Sequence, residues 1–235
     1  MNNFFPPNIS SFGGEIDFVF DLIFWIVLVW FVACEVLICW FLWRYRSGAH
    51  PRAIFADGTS RRQLAWILVP AAIVLVLDLG IDYAGAGTWR RVKEQIPPTD
   101  HTVRVTALQF AWEFRYPGPD GVLDTEDDLV LPNQLHIPRG EPIRAKLESL
   151  DVIHSFFIPN TRLKQDIVPG RTIDVWFDAN VAGTYEIGCA ELCGFGHTRM
   201  RGLLIVHDPE SWQQWQDEHW PDAPPADAKH PEENA

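Results

Sequence analysis

The sequence predicts a membrane-anchored all-β protein: an N-terminal two-helix transmembrane hairpin followed by a β-sandwich or barrel. Two observations carry this. Two long apolar runs lie in the first third of the 235 residues, and beyond Pro97-Pro98 come short alternating runs bounded by Gly, Pro and Asn.

The run from Leu22 to Trp43 has Glu35 as its only charge and is long enough for the roughly 20 residues a helix needs to cross a bilayer. The second, from Leu64 to Leu77, reaches Ala84 only by including Asp78 and Asp82, so its outer end is expected to face protein, water or headgroups. Arg44, Arg46, Arg52, Arg61 and Arg62 lie between the runs, whereas no Lys or Arg precedes Leu22. The positive-inside rule therefore puts the connecting loop in the cytoplasm and both termini outside. The first helix lacks the basic flank and short core of a cleavable signal, so it is expected to be retained.

Beyond the hairpin, Val103–Ala107, Ile143–Leu147, Thr172–Phe177, Gly183–Ile187 and Leu203–Val206 have strand character. The reading assigns residues 1–88 to an N-terminal segment and hairpin, with helices over about 22–43 and 64–84. Residues 89–100 form a connector, 101–208 the β domain, and 209–235 a short helix and a disordered tail. The formal charge is −12; from Ala86 onward 14 Lys and Arg face 24 Asp and Glu, a difference of −10. An exported surface of that sign favours a basic partner over nucleic acid or an anionic membrane surface.

Of the four cysteines, Cys34 and Cys39 fall inside the first helix and read as small apolar packing residues. The other two open the segment Cys189-Ala190-Glu191-Leu192-Cys193-Gly194-Phe195-Gly196-His197-Thr198-Arg199-Met200, with His154 upstream. Taken alone, the pair also fits a disulfide or two buried small residues, and two Cys with two His would suit tetrahedral zinc. Neither alternative employs Met200, the only methionine besides the initiator. Thiolate, thioether and imidazole together select copper.

Three segments occur in order: Asp151-Val-Ile-His154-Ser155-Phe-Phe-Ile-Pro159, Lys164-Gln-Asp166-Ile-Val-Pro169-Gly170-Arg171, and the cysteine segment. They resemble subunit II of cytochrome c oxidase, the subunit of heme-copper oxygen reductases that houses the binuclear CuA center. The resemblance implies a cupredoxin-like Greek-key domain in which Cys189 and Cys193 bridge two copper ions. His154 and Met200 would complete one ion, His197 and the backbone carbonyl of Glu191 the other. It also implies a magnesium ion shared with subunit I through the Glu191 carboxylate, which by itself is an unremarkable surface group.

The implied function is electron transfer within a terminal oxidase, from cytochrome c through this chain to the heme and copper centers of subunit I, where oxygen becomes water. As a subunit of a proton-translocating oxidoreductase, the chain would carry no catalytic residue of its own. It would lie beside subunit I and other oxidase subunits in a bacterial inner membrane or its equivalent, crossing twice with the copper domain on the periplasmic side. No Cys-x-x-Cys-His motif occurs, so no heme is expected on this chain and a separate basic donor of the cytochrome c kind is required. Two rival readings are the CuA subunit of a nitric oxide reductase and a membrane-anchored copper-delivery protein holding one copper.

Two departures from the resemblance matter. Gln109-Phe110-Ala111-Trp112 stands where the family usually has Gln-Trp-aromatic-Trp. Phe110 is therefore expected to be the surface contact where the electron arrives, with Trp112 as buried support on the same face of a strand. Gln63 stands where many members have a glutamate guarding a proton path; Glu35 reads either as its substitute or as a helix-contact residue.

Lys164, Asp166 and Arg171 match a subunit-interface motif of the family and read equally as strand-edge ion pairs. Asp120, Asp124, Glu126, Asp127 and Asp128, with Asp151, are candidates for partner docking; the 120–128 run reads equally as a solvated loop and lacks EF-hand spacing. His101, His136, His207, His219 and His230 have no motif partner and read as surface or structural.

Overall fold

The computed structural model describes residues 5–46, 48 and 57–221. The chain divides into two units, one spanning Glu15–Arg91 and the other joining Met1–Gly14 to Val92–Ala235.

In the first unit, helices α1 (Gly13–Arg44) and α2 (Arg61–Trp89) are both long and apolar enough to cross a membrane. Their side chains are exposed nearly all round, as expected of helices whose solvent is lipid. α1 starts well before Leu22, because the turns carrying Glu15, Asp17 and Asp21 are helical although not apolar. Glu15 forms an ion pair with Arg91. α2 begins in a capping box: Ser60 Oγ accepts from the Gln63 N–H at 3.3 Å, and Gln63 Oε1 accepts from the Ser60 N–H at 3.4 Å. Gln63 thus has a local role in starting the helix. α2 ends at Trp89, beyond Ala84, and a π-helical turn over Arg90–Glu94 follows, so the first half of the expected connector is helical. Arg52, His230 and the tail from residue 222 lie outside the described residues.

The second unit holds ten strands: β1 (His101–Leu108), β2 (Ala111–Tyr116), β3 (Leu129–Pro132), β4 (Gln134–Pro138), β5 (Ile143–Ser149), β6 (His154–Ile158), β7 (Leu163–Ile167), β8 (Ile173–Phe177), β9 (Gly183–Cys189) and β10 (Arg201–His207). They form two five-stranded sheets, ordered β3-β2-β1-β5-β8 and β4-β10-β9-β6-β7, the two layers of a β-sandwich. Pairings β1–β5 and β4–β10 are parallel and the rest antiparallel. Alternation along β2 sends Trp112, Phe114 and Tyr116 inward, where Trp112 and Phe114 meet Phe156 of β6 at 5.4 and 6.4 Å between ring centroids. β6 is buried at four of its five positions, so it carries no alternation to read. Helix α3 (Pro209–His219) follows β10 and buries Trp215 against the sheet.

The sandwich is completed by the residues just before α1. Ile9 donates its N–H to the Asn160 carbonyl at 2.9 Å and accepts from the Asn180 N–H at 2.6 Å, while Ser10 Oγ donates to the Thr161 carbonyl at 2.9 Å. Phe12 is fully buried with its ring 5.1 Å from Trp176. Gly13 is required beside this strap, because a Cβ there would lie 2.1 Å from Asn8 Oδ1. The N-terminal segment therefore belongs to the β unit and not, as the sequence reading had it, with the hairpin.

Candidate metal centre

Three loops converge on the site. The β9–β10 loop, residues 190–200, carries most of the candidate ligands and is fixed at both ends by the ladder: the Cys189 N–H donates to the Met200 carbonyl at 3.2 Å, and the Ala190 N–H to the Ser155 carbonyl at 3.0 Å. Inside it, N–H groups of His197, Arg199 and Met200 turn back onto the carbonyls of Gly194, Gly196 and His197. This coil brings residues four and seven positions apart to one point. His154 comes from the start of β6 and is fully buried.

Cys189 and Cys193 are free thiols with their Sγ atoms 3.8 Å apart. His154 Nδ1 lies 3.8 Å from Cys189 Sγ, and the Glu191 carbonyl oxygen 3.2 Å from the same sulfur. His197 Nδ1 and Met200 Sδ lie 3.6 and 3.9 Å from Cys193 Sγ. Burial, and then the adjacent Cys189 sulfur, push the Cys193 thiol up to about 11. A cation bound beside the Cys193 sulfur would offset both influences and let it ionise. The donor set fits such a cation: two thiols, two imidazole nitrogens, a thioether and a carbonyl face one another. Six donors are more than one tetrahedral zinc accepts, and the thioether marks a soft metal. Among the described residues, His154, Cys189 and Cys193 form the only group of three His, Cys or carboxylate side chains close enough to hold a metal ion.

Asp151, a docking candidate in the sequence, lies inside this site. Its Oδ1 is 2.8 Å from His154 Nε2 and accepts the Val152 N–H at 2.6 Å, while its Oδ2 accepts the Gln109 N–H at 2.6 Å. Burial works against its ionisation, but these hydrogen bonds prevail and hold the carboxyl below the usual range. Asp151 therefore orients the imidazole, leaving Nδ1 to face the sulfurs. Gln109 donates from Nε2 to the Cys193 carbonyl at 2.6 Å and so joins the β1–β2 turn to the ligand loop. The sequence reading gave Gln109 no role and did not link Asp151 to His154; the Asp-x-x-His spacing was the available signal for the latter.

Phe110 sits in the β1–β2 turn and not on a strand, so the same-face argument linking it to Trp112 does not apply. Its ring nevertheless lies on the ligand loop: a Cβ at Gly196 would be 2.4 Å from Phe110 Cδ2, and one at Gly194, whose φ is +130°, 3.2 Å from Cζ. Phe110 is 37 % exposed and Trp112 fully buried, with the Trp112 ring 6.3 Å from that of His154. Around the site an apolar rim faces outward, with Phe195 fully exposed and Leu192, Leu150 and Ile153 largely so.

The remaining candidates lie elsewhere. The loop holding Asp120, Asp124, Glu126, Asp127 and Asp128 follows Tyr116, at the end of β2 away from Phe110. Arg104 engages Asp124 at 2.5 and 2.9 Å, Arg115 meets Asp128 at 3.4 Å, and the Asp128 side chain is only 2 % exposed. Thr125 Oγ1 donates to Asp127 at 2.6 Å and the Val122 N–H to Asp120 at 2.8 Å, so much of the loop's charge serves its own turns. Lys164 and Asp166 pair at 2.7 Å on β7, and Arg171 is exposed in the following turn. The Glu191 side chain is half-buried beside the ligand loop.

Residues 118–207, which include all six candidate ligands, match the family of the cytochrome c oxidase subunit II periplasmic domain. The chain is 28 % identical over 229 residues to the alternative cytochrome c oxidase subunit 2 of Bradyrhizobium diazoefficiens, with 88 % of this chain and 81 % of that protein covered. It is 29 % identical over 262 residues to the cytochrome c oxidase subunit 2 of Thermostichus vulcanus, covering 89 % and 76 %. Among solved structures it is similar to the periplasmic domain of subunit II of cytochrome oxidase of Bradyrhizobium japonicum, with 26 % identity, a TM-score of 0.48, and coverage of 53 % of this chain and 96 % of that one.

Proposed function

The chain belongs to the cytochrome c oxidase subunit II family, a subunit of heme-copper terminal oxidases, and from that premise we propose that it receives single electrons from a soluble cytochrome c and hands them to subunit I. The observation that carries this reading is the six-donor cluster around the paired sulfurs of Cys189 and Cys193. Two coppers bound there would supply a one-electron carrier. Cys189 and Cys193 would bridge them, with His154, Met200, His197 and the Glu191 carbonyl as the outer ligands. The chain's own contribution is rigidity: ladder bonds fix both ends of the loop, Asp151 fixes the tautomer of His154, and Gln109 anchors the Cys193 backbone. Ligands that cannot move make a carrier that reorganises little.

Phe110 and the rim of Leu192, Phe195, Leu150 and Ile153 would form the contact surface for partners, since an exposed apolar patch of this kind is expected to be covered. The acidic loop, remote from that surface, would act through long-range attraction of a basic donor. Glu191, beside the ligands, is the candidate for a magnesium ion shared with subunit I. The arginines between the two helices would put that loop in the cytoplasm by the positive-inside rule, and the copper domain on the periplasmic side.

Metal analysis and electron paramagnetic resonance of the purified full-length chain test the proposal. Two coppers per chain sharing one unpaired electron are expected; a single copper with a localised electron would instead indicate a copper-delivery protein.

A further inference from the structure

At the end of β2 remote from the ligand cluster, α3 and the adjoining strands enclose a cavity of about 510 Å³, within the roughly 300–1,000 Å³ of small-molecule sites. Four aromatic side chains form part of its walls. Trp212 and Trp215 stack at 4.9 Å, Trp220 meets Trp215 edge-on at 5.7 Å, and the Tyr116 ring lies 5.3 Å from Trp215. Three carboxylates, Asp100, Glu141 and Asp217, also line it against one guanidinium, that of Arg139, which Asp208 engages at 2.8 Å.

On this side His136 and His207 form a hydrogen-bonded pair, and His101 engages Glu141 at 2.6 Å. His136 Nδ1 and His207 Nε2 are 2.8 Å apart, so one donates while the other must accept, and the pair cannot be doubly charged there. Burial, and then the neighbouring His207 and His219, lower the His136 pKa to about 4. Trp215 stacks on the neutral ring at 5.0 Å. Among the described residues, no third nitrogen or carboxylate approaches closely enough to make the pair a metal site.

Trp215 is stacked on both faces, whereas Trp212 and Trp220 are only half-buried; indole faces attract cations through the ring quadrupole, and the carboxylates add to that attraction. We propose that this cavity binds a small organic cation, a quaternary or alkyl ammonium group with an apolar body, at a site separate from the copper ligands.

Titration of the full-length chain in a maltoside detergent tests this, using choline against its uncharged isostere 3,3-dimethylbutan-1-ol, followed by calorimetry and tryptophan fluorescence. Saturable choline binding is expected, with the isostere weaker by about 5-fold or more, the factor matching a cation–π contact of about 1 kcal/mol. Trp212→Ala is expected to weaken choline binding strongly. Asp217→Asn, at an exposed position where only charge changes, should weaken choline and leave the isostere unaffected. Glycerophosphocholine separates two sources of the same chemistry: tighter binding than choline points to a lipid headgroup, equal or weaker binding to a free ammonium compound. Absence of saturation with choline, equal affinity for the isostere, or wild-type binding in both variants would overturn the proposal.

Discussion

Gln109 Nε2 donates to the carbonyl oxygen of Cys193 at 2.6 Å, so a turn belonging to one sheet holds the ligand loop of the other. Gln109→Ala removes that anchor without touching a ligand. A hydrogen bond of this kind is worth about 1 kcal/mol, so the variant is expected to bind copper, melt a few degrees lower and show a broadened copper spectrum. Calorimetry and electron paramagnetic resonance on the same sample check both expectations.

Replacing Cys189 or Cys193 with serine is expected to abolish the two-copper center, because each sulfur has donors on both sides. Met200→Leu should keep both coppers and change the reduction potential, since a thioether is the weakest donor of the set. Metal content and a redox titration distinguish the two classes.

Phe110→Ala should slow reduction by cytochrome c in stopped-flow measurements while the copper spectrum stays as it was. Gly196→Ala gives an independent route to the same end, because the added methyl would sit 2.4 Å from Phe110 Cδ2 and must displace the ring. Parent-like reduction rates in both variants would remove Phe110 from the electron's path.

Reduction by a basic cytochrome c should slow as salt shortens the Debye length from about 10 Å at 0.1 M to about 3 Å at 1 M. Asp124→Asn should change that rate little, because Arg104 already engages the carboxylate at 2.5 and 2.9 Å. A large loss in this variant would make the acidic loop a direct docking site.

Docking of α3 should depend on pH through His136. Its pKa is lowered to about 4 in the fold, against about 6.5 in an unfolded chain. Stability is therefore full above about 6.5, falls as pH drops toward about 4, and levels off below that. His136→Phe should flatten this profile, as read from thermal unfolding followed by tryptophan fluorescence.

The candidate donors Cys189, Cys193, His197 and Met200 stood out in the sequence because they crowd into twelve residues, and the membrane runs because hydropathy needs no partner. What joins those ligands was not legible. Gln109 is 84 residues from Cys193, and a side chain reaching a backbone carbonyl leaves no periodicity. Strand β6 was hidden for a related reason: buried at almost every position, it reads as an apolar run of no definite period. Phe110 could not be placed from sequence either: it lies in a turn, since the register of β1 with β2 ends at the pair Leu108 and Ala111.

The strap of Ile9, Ser10 and Phe12 sets an order on biogenesis. Ser10 closes on Thr161, 151 positions later, and Ser11 on Asp178, 167 positions later. Synthesis must have passed Asp178, and both segments must lie in the same compartment, before the strap can close on the sandwich. A soluble fragment begun near residue 98 would expose the ledge that Phe12 covers on Trp176. The anchor thus delivers a piece of the folded domain as well as holding it to the membrane, and a chain whose amino terminus stayed on the wrong side would be left with an unfinished sandwich.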